Sequence, residues 1–422
     1  PVAFSVYNGK TPLANSITSP QRPPGDPMAK GELEKTAILT GGDPFSPATP
    51  VKPAALSAVE AFNPECRAEI PETPTGRRTA LAEWIADPKN PLTSRAIVNR
   101  IWLWHFGQPL AGNPNNFGGT GKKPTHPELL DWLAATFVED GGSFKEMHRR
   151  IMTSGAYQRS SAHPQPDILK AKDPLGQSYA AFIPRRLTAE EFRDATLSAT
   201  GELNPELGGI PVRPEMNQEV ALQPRQVMGA FAAAWVPNPK PGQRHRRSIY
   251  VQQVRGLRDP FMEVFNEPGP DFSCEMRDAS TVTPQVFSLF NSHSSANRSL
   301  ALAHRLLTEA PKADRSTTIQ HLFELALNRP PSKDEITACL DHWKQSEAHH
   351  EETPARRAEY PTKITRESRA EKTGELFDFP ETLFAYEDFV PDLQPADVDV
   401  KTRALAEVCL VLLNSNEFAY IY

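Results

Sequence analysis

Four short motifs in this sequence each have the pattern of a helix start. A Ser or Thr followed three residues later by Glu forms a capping box, because the two side chains accept hydrogen bonds from backbone N–H groups that a helix end leaves free. The motifs are Thr125-His-Pro-Glu128, Ser143-Phe-Lys-Glu146, Thr188-Ala-Glu-Glu191 and Ser332-Lys-Asp-Glu335. They predict four helix N-termini and a chain in which helix exceeds strand at least twofold.

Apolar residues recur at helical spacing through most of the chain from Arg77 onward. The pattern predicts helices at residues 77–87, 93–106, 126–139, 144–154, 189–200, 283–291, 299–308, 316–327, 332–346 and 401–414. Strands are predicted at 36–40, before a Gly-Gly-Asp-Pro turn, and at 247–255, the segment RSIYVQQVR. The predicted fold class is therefore mainly α, a multi-helix domain with a small β element and a Pro-rich extended N-terminal arm.

Proline placement suggests how the chain is organised. The 42 prolines of this 422-residue chain concentrate at 1–74 and 205–241, and proline neither continues a helix nor donates to a strand ladder. We expect residues 1–74 to be an arm or linker from an upstream domain and residues 75–422 to be the helical domain. Because the chain begins at Pro1, we also expect it to be a processed or trimmed piece of a longer protein.

The segment at 349–374 is highly charged and offers no apolar face. It is either a solvated helix pair or an exposed insertion, and the absence of an apolar stripe favours the insertion.

Net charge and hydropathy exclude two broad classes of function. The formal net charge is −6, whereas general nucleic-acid binding needs a basic surface. No apolar run approaches the ~18 residues of a membrane helix, so no membrane-spanning segment is predicted. The common signatures of serine hydrolases, zinc proteases, P-loop proteins and dinucleotide-binding proteins are also missing from the sequence.

The four cysteines, Cys66, Cys274, Cys339 and Cys409, stand far apart. Without a CxxC pair a zinc ribbon is not expected, and without CxxCH the chain attaches no c-type haem itself. Three disulfide pairings are open if all four cysteines are oxidised, but four cysteines in a chain of this length are not a disulfide framework. No metal site and no cofactor are predicted in this chain.

Polar residues gather at the end of the helix predicted at 93–106 and in the Gly/Asn loop after it. Asn99, Arg100, His105, Asn116 and His126 are candidates for a polar pocket, because each buried polar group needs a partner. The alternative is structural, with the Arg and His side chains tying the loop to the helices.

A second group of candidates lies in the basic segment around RHRRS. In a strand, Arg247 and Arg255 share one face, and two arginines there are suited to a carboxylate or sulfate group, as in an acidic sugar or a haem propionate. The alternative is that they neutralise the chain's own acids. Arg277 and Gln285 complete the set near Cys274, whose thiol is expected to be buried or disulfide-bonded rather than reactive.

Two further expectations concern how these residues are placed. Arg193 and Asp194 are adjacent on a helix, so each is expected to find its partner elsewhere. The basic candidates from distant segments are expected to contribute to one polar region; they are Arg100, His105, His126, Arg247, Arg255 and Arg277.

Segments in order along most of the chain resemble the DUF1553 (PSD1) domain of planctomycete-type secreted proteins. The segments are AILTGGDPFSPATPVKP, NPLTSRAIVNRIWLWHFGQPL, PNNFGGTGKKPTHPELLDWLA, SFKEMHRRIMTSGAYQRSS, RRLTAEEFRDATLSATGELNPELGG, RRSIYVQQVR, FNEPGPDFSCEMRDASTVTPQVFSLFN, and the pair LALNRPPSKDEI and LLNSNEFAYIY. The family more often has Asp where this sequence has Asn116.

The resemblance implies an exported protein in the periplasm or at the cell surface. Relatives often carry cytochrome c and DUF1549 domains, so such domains or chains are the expected partners, polysaccharide is a possible one, and any haem belongs to a separate domain. Two functions follow as hypotheses. The first is a module of a secreted redox–carbohydrate system that binds or processes an anionic, oxygen-rich substrate. The second is a non-catalytic assembly domain of a cell-surface complex.

Overall fold

The computed structural model describes residues 36–422 except 44, 74, 217–223, 228–229, 234, 256, 270, 279 and 281. Within these residues helices are the main elements, and the strands form two-stranded sheets. The mainly α fold class is confirmed. The chain divides into two compact units, one that ends at Ile183 and one that runs from Pro184 to Tyr422. The predicted division into an arm and one domain at residue 75 stays a prediction.

The first unit begins with an exposed hairpin and continues with helices. Strand β1 (Ala37–Leu39) pairs antiparallel with β2 (Pro47–Pro50), which confirms the strand predicted at 36–40. Six helices follow: α1 (Ser57–Phe62), α2 (Arg77–Ala86), α3 (Pro91–Phe106), α4 (Pro127–Glu139), α5 (Phe144–Met152) and α6 (Pro166–Lys172). Their apolar faces pack around Ile101, Leu133 and Met147, which are fully buried or nearly so.

The second unit has its core among long helices. Its helices are α7 (Ala189–Thr200), α8 (Pro241–Arg244), α9 (Pro260–Val264), α10 (Thr283–Asn291), α11 (His293–Glu309), α12 (Arg315–Leu327), α13 (Lys333–Glu352), α14 (Val400–Leu413) and α15 (Asn416–Ala419). Leu302, Ile319, Trp343 and Leu405 are completely buried in one cluster. Such burial stabilises a fold by about 25 cal/mol for each Å² of apolar surface removed from water.

Short antiparallel pairs of strands complete the second unit. Strand β3 (Arg185–Arg186) pairs with β8 (Tyr420–Ile421), β4 (Pro224–Val227) with β5 (Ala230–Ala233), and β6 (Lys363–Arg369) with β7 (Leu376–Thr382). Strand β6 lies within the charged segment 349–374 and its partner β7 follows that segment, whose first residues continue α13 to Glu352. None of the residues of this segment is buried.

Three of the four predicted caps are confirmed and one is wrong. Ser143, Thr188 and Ser332 are N-caps whose side chains accept from the N–H three residues later. Thr125 lies one residue before the N-cap His126, because its backbone N–H donates to the Leu110 carbonyl at 2.9 Å and keeps the chain extended. Helix α4 therefore begins at Pro127.

The strand predicted at 247–255 is wrong. Residues Ser248–Tyr250 form a 3₁₀ turn, and Val251 and Val254 make only isolated bridges. The Ser248 N–H donates to Asp194 Oδ1 at 2.8 Å instead of to a strand, and Ile249 is exposed. The alternating apolar pattern therefore does not describe two faces of a sheet, and the argument that Arg247 and Arg255 share one face no longer holds.

The start of one long helix and the end of another also lie outside the predicted ranges. Helix α11 begins six residues before the predicted start at 299, and α13 continues six residues beyond 346. In α11 the early turns bury Asn297 and Arg298 as well as apolar residues. The search for apolar periodicity misses such turns because their buried face is polar.

Candidate functional site

The candidates on α3 are tied to the loop that follows it. The Asn99 amide donates to the Ala111 carbonyl at 3.0 Å, and its oxygen accepts from the Ala111 N–H at 2.8 Å. Arg100 donates to Asn115. Asn116 accepts from the Gly118 N–H at 3.0 Å and donates to Thr120 at 3.1 Å. These contacts support the structural reading, in which the loop is fastened to its helix.

The two histidines of this unit have local partners. His105 Nε2 lies 2.8 Å from His148 Nδ1, and the His105 ring packs edge-on against Tyr157. His126 Nδ1 lies 3.1 Å from the Thr125 hydroxyl, and its ring packs against Tyr179. Neither histidine faces one of the two cavities described below, whose linings come entirely from the second unit.

The candidates in the second unit are held by groups of the same unit. Arg277 makes two bonds to Glu190, of 2.5 and 2.8 Å. Gln285 donates to the Val264 and Ser280 carbonyls at 3.0 and 2.9 Å. Arg247 Nε lies 3.5 Å from Asp194, and the exposed Arg255 lies 4.0 Å from Asp271.

The basic candidates therefore divide equally, three in each unit. Arg100, His105 and His126 belong to the first unit, and Arg247, Arg255 and Arg277 belong to the second. That all six share one polar region stays a prediction.

The cysteines are free thiols. Cys66 and Cys409 are buried, Cys339 is half-buried, and Cys274 is exposed. The expectation that Cys274 is buried or disulfide-bonded is wrong, because its segment lies at the surface beside the similarly exposed Phe272.

The second unit contains a cavity of about 580 Å³. Polar side chains from the α10–α11 junction line one part of it, and charged side chains from α7, α8 and the segment before α14 line another. The lining includes Arg193, Arg244, His245, Asp259, Asn291, Ser292, His293, Ser294, Ser295, Asn297, Arg298, Tyr360 and Asp392. Phe192 and Phe261 add aromatic surface.

A network of buried charges lies at this cavity and joins distant parts of the unit. Asp392 accepts from Arg244 at 2.6 Å and from Arg298, and its other close neighbour is His245 Nε2 at 3.1 Å. Arg298 also donates to Glu202. Burial raises the pKa of the Asp392 carboxyl, but the His245 hydrogen bond and the charges of Arg298 and Arg244 outweigh burial and hold that pKa well below its usual range.

Arg193 brings to the cavity a guanidinium whose positive charge has no carboxylate in direct contact with it among the described residues. It donates to the Arg244 and Arg246 carbonyls at 2.7 and 2.9 Å and to the Ser248 hydroxyl at 3.1 Å. Burial lowers its pKa to about 10, so it stays cationic at neutral pH. Its nearest carboxylate oxygen is Asp194 Oδ1 at 3.6 Å. The expectation that each of these neighbours finds a partner elsewhere is confirmed, because Asp194 accepts from the Ser248 N–H and hydroxyl, although the two side chains also approach each other.

Asp259 connects the large cavity with a small one of about 20 Å³. Its side chain caps α9 by accepting from the Phe261 N–H at 2.9 Å. Burial raises the pKa of this carboxyl above its usual range, although backbone hydrogen bonds oppose the shift. Glu190 and Glu267 line the small cavity as well.

The first turns of α11 add neutral polar groups to the large cavity. Ser292 is the N-cap and accepts from the Ser295 N–H at 3.1 Å. Asn297 is buried, and within the described part of the chain its side-chain amide has no hydrogen-bond partner.

Sequence reasoning named Arg244 and His245 only as part of a basic cluster, and it missed Asn297, Arg298 and Asp392. One signal was present for α11, since the run NSHSSANRS at 291–299 is polar on a helix whose later turns are apolar. For Asp392 the sequence holds no local signal, because its partners lie 94 to 148 residues away.

Among the described residues, no group of three His, Cys, Asp or Glu side chains is arranged to hold a metal ion. In the same part of the chain, no helix combines the length and the apolar character needed to cross a bilayer.

Residues 77–343, more than half of the chain, match the family PSD1, described as "Protein of unknown function (DUF1553)". Neither a curated protein nor a solved structure matches the chain.

Proposed function

Because the chain belongs to the PSD1 (DUF1553) family, whose function is unknown, we propose a function from its own cavity. We propose that the second unit binds an anionic, oxygen-rich small molecule, with an acidic saccharide as the leading candidate. The observation that carries the proposal is the cavity of about 580 Å³ with its hydroxyl, amide, guanidinium and aromatic lining.

The volume and lining of the cavity suit a ligand of this class. Small-molecule sites commonly enclose about 300–1,000 Å³ and use a few fixed polar groups for orientation. Ser294, Asn297 and His293 offer such groups, while Phe192 and Phe261 offer flat apolar surface for the C–H face of a sugar ring. The Tyr360 hydroxyl is already oriented by its bond to Glu215 at 2.8 Å.

The charge network fixes the positions of several side chains in the cavity lining. Arg244 and Arg298 are each held by carboxylates, and Arg244 also donates to the Asn238, Pro239 and Val390 carbonyls. Groups that are fixed in this way lose little conformational entropy on binding. Arg193 has no carboxylate within 3.5 Å among the described residues, and so it offers the least compensated charge for an anionic ligand.

The setting is part of the proposal. We propose that the domain acts in the periplasm or at the cell surface beside DUF1549 and cytochrome c partners, with any haem in those partners. The family resemblance of the sequence supports this setting. Fractionation of cells that produce the protein tests it, and a purely cytoplasmic location would contradict it.

A non-catalytic assembly domain is the alternative, and a formed polar cavity favours ligand binding over it. Calorimetric titration of the full chain with a uronic-acid disaccharide, a sulfated disaccharide and a neutral disaccharide tests the proposal. We expect saturable binding of at least one acidic probe, and chromatography of the same mixtures shows whether it is cleaved.

A matched pair of variants assigns the binding to the cavity. Ser294→Trp places a large ring in the cavity and is expected to abolish binding. Ala338→Trp adds the same ring at an exposed position of α13 and is expected to leave binding unchanged. If no probe binds the unmodified protein, or if Ser294→Trp binds as well as Ala338→Trp, the proposed function is wrong.

A further inference from the structure

We propose that the first turn of α11 is an oxyanion subsite, in which His293, Ser294 and Asn297 hold the carboxylate or sulfate group of the ligand. The inference rests on the proposed function and deepens it, since it says where the acidic group of the ligand binds. The one-turn arrangement of a free helix end and a buried amide without a partner carries the inference.

The helix end supplies backbone donors. Helix α11 has 17 residues and no acidic residue in its first turn. The Ser292 cap takes the Ser295 N–H, and the Ala296 N–H bonds the Ser292 carbonyl. The N–H groups of His293 and Ser294 have no acceptor among the described residues. Free N–H groups and the positive end of the helix dipole together favour an anion.

Asn297 supplies the second, independent observation. Its residue surface is 6% exposed, yet no described residue hydrogen-bonds its side chain, which lines the cavity. Its amide atoms are not among the fully enclosed side-chain atoms that lack a partner, so they are open to the cavity and available to a ligand. A ligand atom in the cavity is the partner that this side chain lacks.

Helix geometry brings these donors together. Asn297 follows Ser294 by three residues and His293 by four, and residues at these spacings lie on one face of a helix. Side chains on a helix tilt toward its N-terminus, so the Asn297 amide leans toward the two free N–H groups. The exposed Ser294 hydroxyl lies on the same turn.

Three of the four carboxylates that line the large cavity are engaged away from this turn. Asp392 is engaged by Arg244, Arg298 and His245, Glu215 accepts from Tyr360, and Asp259 caps α9. The fourth carboxylate of the lining, Glu359, is exposed to solvent. The first turn of α11 presents two backbone N–H donors beside the Asn297 amide, and these donors together with the helix dipole favour the charged oxygens of a carboxylate or sulfate over a neutral hydroxyl.

The test uses the full chain and compares three probes in parallel: a uronic-acid disaccharide, its neutral counterpart with the carboxylate reduced to an alcohol, and a sulfated disaccharide. Asn297→Asp keeps the shape of the side chain but replaces its donor by a negative charge. A hydrogen bond to a charged group corresponds to about a tenfold to hundredfold change in affinity, and we expect a loss of this size for the acidic probes.

The neutral probe and one control variant show that the loss is specific. Asn297→Asp should leave the affinity for the neutral probe within about twofold, because that probe carries no negative charge for the new carboxylate to repel. Gln345→Glu makes the same amide-to-carboxylate change at an exposed position of α13, outside the cavity lining, and should leave all affinities unchanged. If only the carboxylate probe or only the sulfated probe loses affinity, that difference identifies the acidic group that the subsite takes.

Inorganic sulfate tests the subsite without any saccharide and without a variant. We expect sulfate to shift the amide NMR resonances of His293 and Ser294 in a saturable way. The Ser316 amide, at a helix start already capped by Asp314, should not move.

The two measurements separate the two proposals. Unmoved His293 and Ser294 resonances, or equal loss of acidic and neutral probes in Asn297→Asp, would overturn the subsite while leaving the proposed function intact. A sulfate shift together with no saccharide binding would overturn the proposed function and leave the subsite standing.

Discussion

Replacing Asp392 by Asn is the perturbation that tests the charge network most directly. Asp392 is 8% exposed at its side chain and is shared by Arg244, which is 1% exposed, and Arg298. The Asn side chain keeps the shape and one acceptor oxygen but loses the negative charge. Two buried guanidinium groups then lose the charge that both of them share.

The expected loss in the free energy of unfolding is large for a substitution that exchanges an oxygen for an NH₂ group. Removing one partner of a buried ion pair costs about 3–5 kcal/mol because an uncompensated charge stays behind. Since Asn retains one acceptor and Glu202 still holds Arg298, we expect the lower end, about 3 kcal/mol. Urea unfolding of the full chain, monitored by hydrogen exchange in peptides from α11 and α14, measures the free energy of unfolding of this unit.

An exposed pair provides the control. Glu309→Gln removes the partner of Arg305 at i,i+4, where Glu309 is 56% exposed, and should cost no more than about 0.5 kcal/mol. If Asp392→Asn costs as little as Glu309→Gln, the reasoning about the buried network is refuted.

The pH dependence of the same variant has a definite sign. The pKa of Asp392 is lowered in the folded state, so its contribution to stability is fully present above the unfolded pKa of about 3.9. That contribution is lost as the pH falls below this value and through the folded pKa. The difference in stability between the natural protein and Asp392→Asn should therefore be constant near neutral pH and narrow below about pH 4.

Two further predictions concern thiol reactivity and helix caps. In the native protein Cys274 should react quickly with maleimide and Cys409 should not, because burial raises the pKa of the Cys409 thiol and hides it from the reagent. Peptide mass spectrometry measures the labelling rate of each cysteine, and urea should make both cysteines reactive. Equal labelling rates in the native protein would contradict the prediction. Thr188→Ala should lower the free energy of unfolding in urea by about 1 kcal/mol, because it breaks a reciprocal capping box with Glu191. Thr125→Ala should lower it clearly less, because Thr125 is not an N-cap. Equal losses for the two variants would show that this distinction is wrong.

Local signals in the sequence were enough to predict many of the helices. The helix at 189–200 is observed with the predicted bounds, because Thr188 caps its start and Gly201 adopts the left-handed φ of 75° at its end. The helix predicted at 283–291 is also observed with those bounds. Both depend on residues within a few positions of the helix ends, which a single sequence shows.

Features that depend on distant partners could not be predicted from the sequence. The segment at 247–255 has the composition of a strand, but Asp194 binds its backbone from 54 residues away. The polar start of α11 reads as a loop unless the cavity beside it is known. Of the candidate anion-binding residues, Arg247 and Arg255 were chosen for a strand geometry that the structure does not have, whereas Arg244 and Arg298 line the cavity.

The long sequence separations within the charge network have a consequence for the order of folding. Arg244 and Asp392 are 148 residues apart, and closing so long a loop loses chain entropy that local contacts do not. The capped helices need only neighbours within a few residues, so we expect them to form before the transition state and the network to close after it. Asp392→Asn should then speed unfolding and leave the folding rate unchanged in stopped-flow urea jumps. The cavity is in that case the last part of the unit to assemble and the first to open.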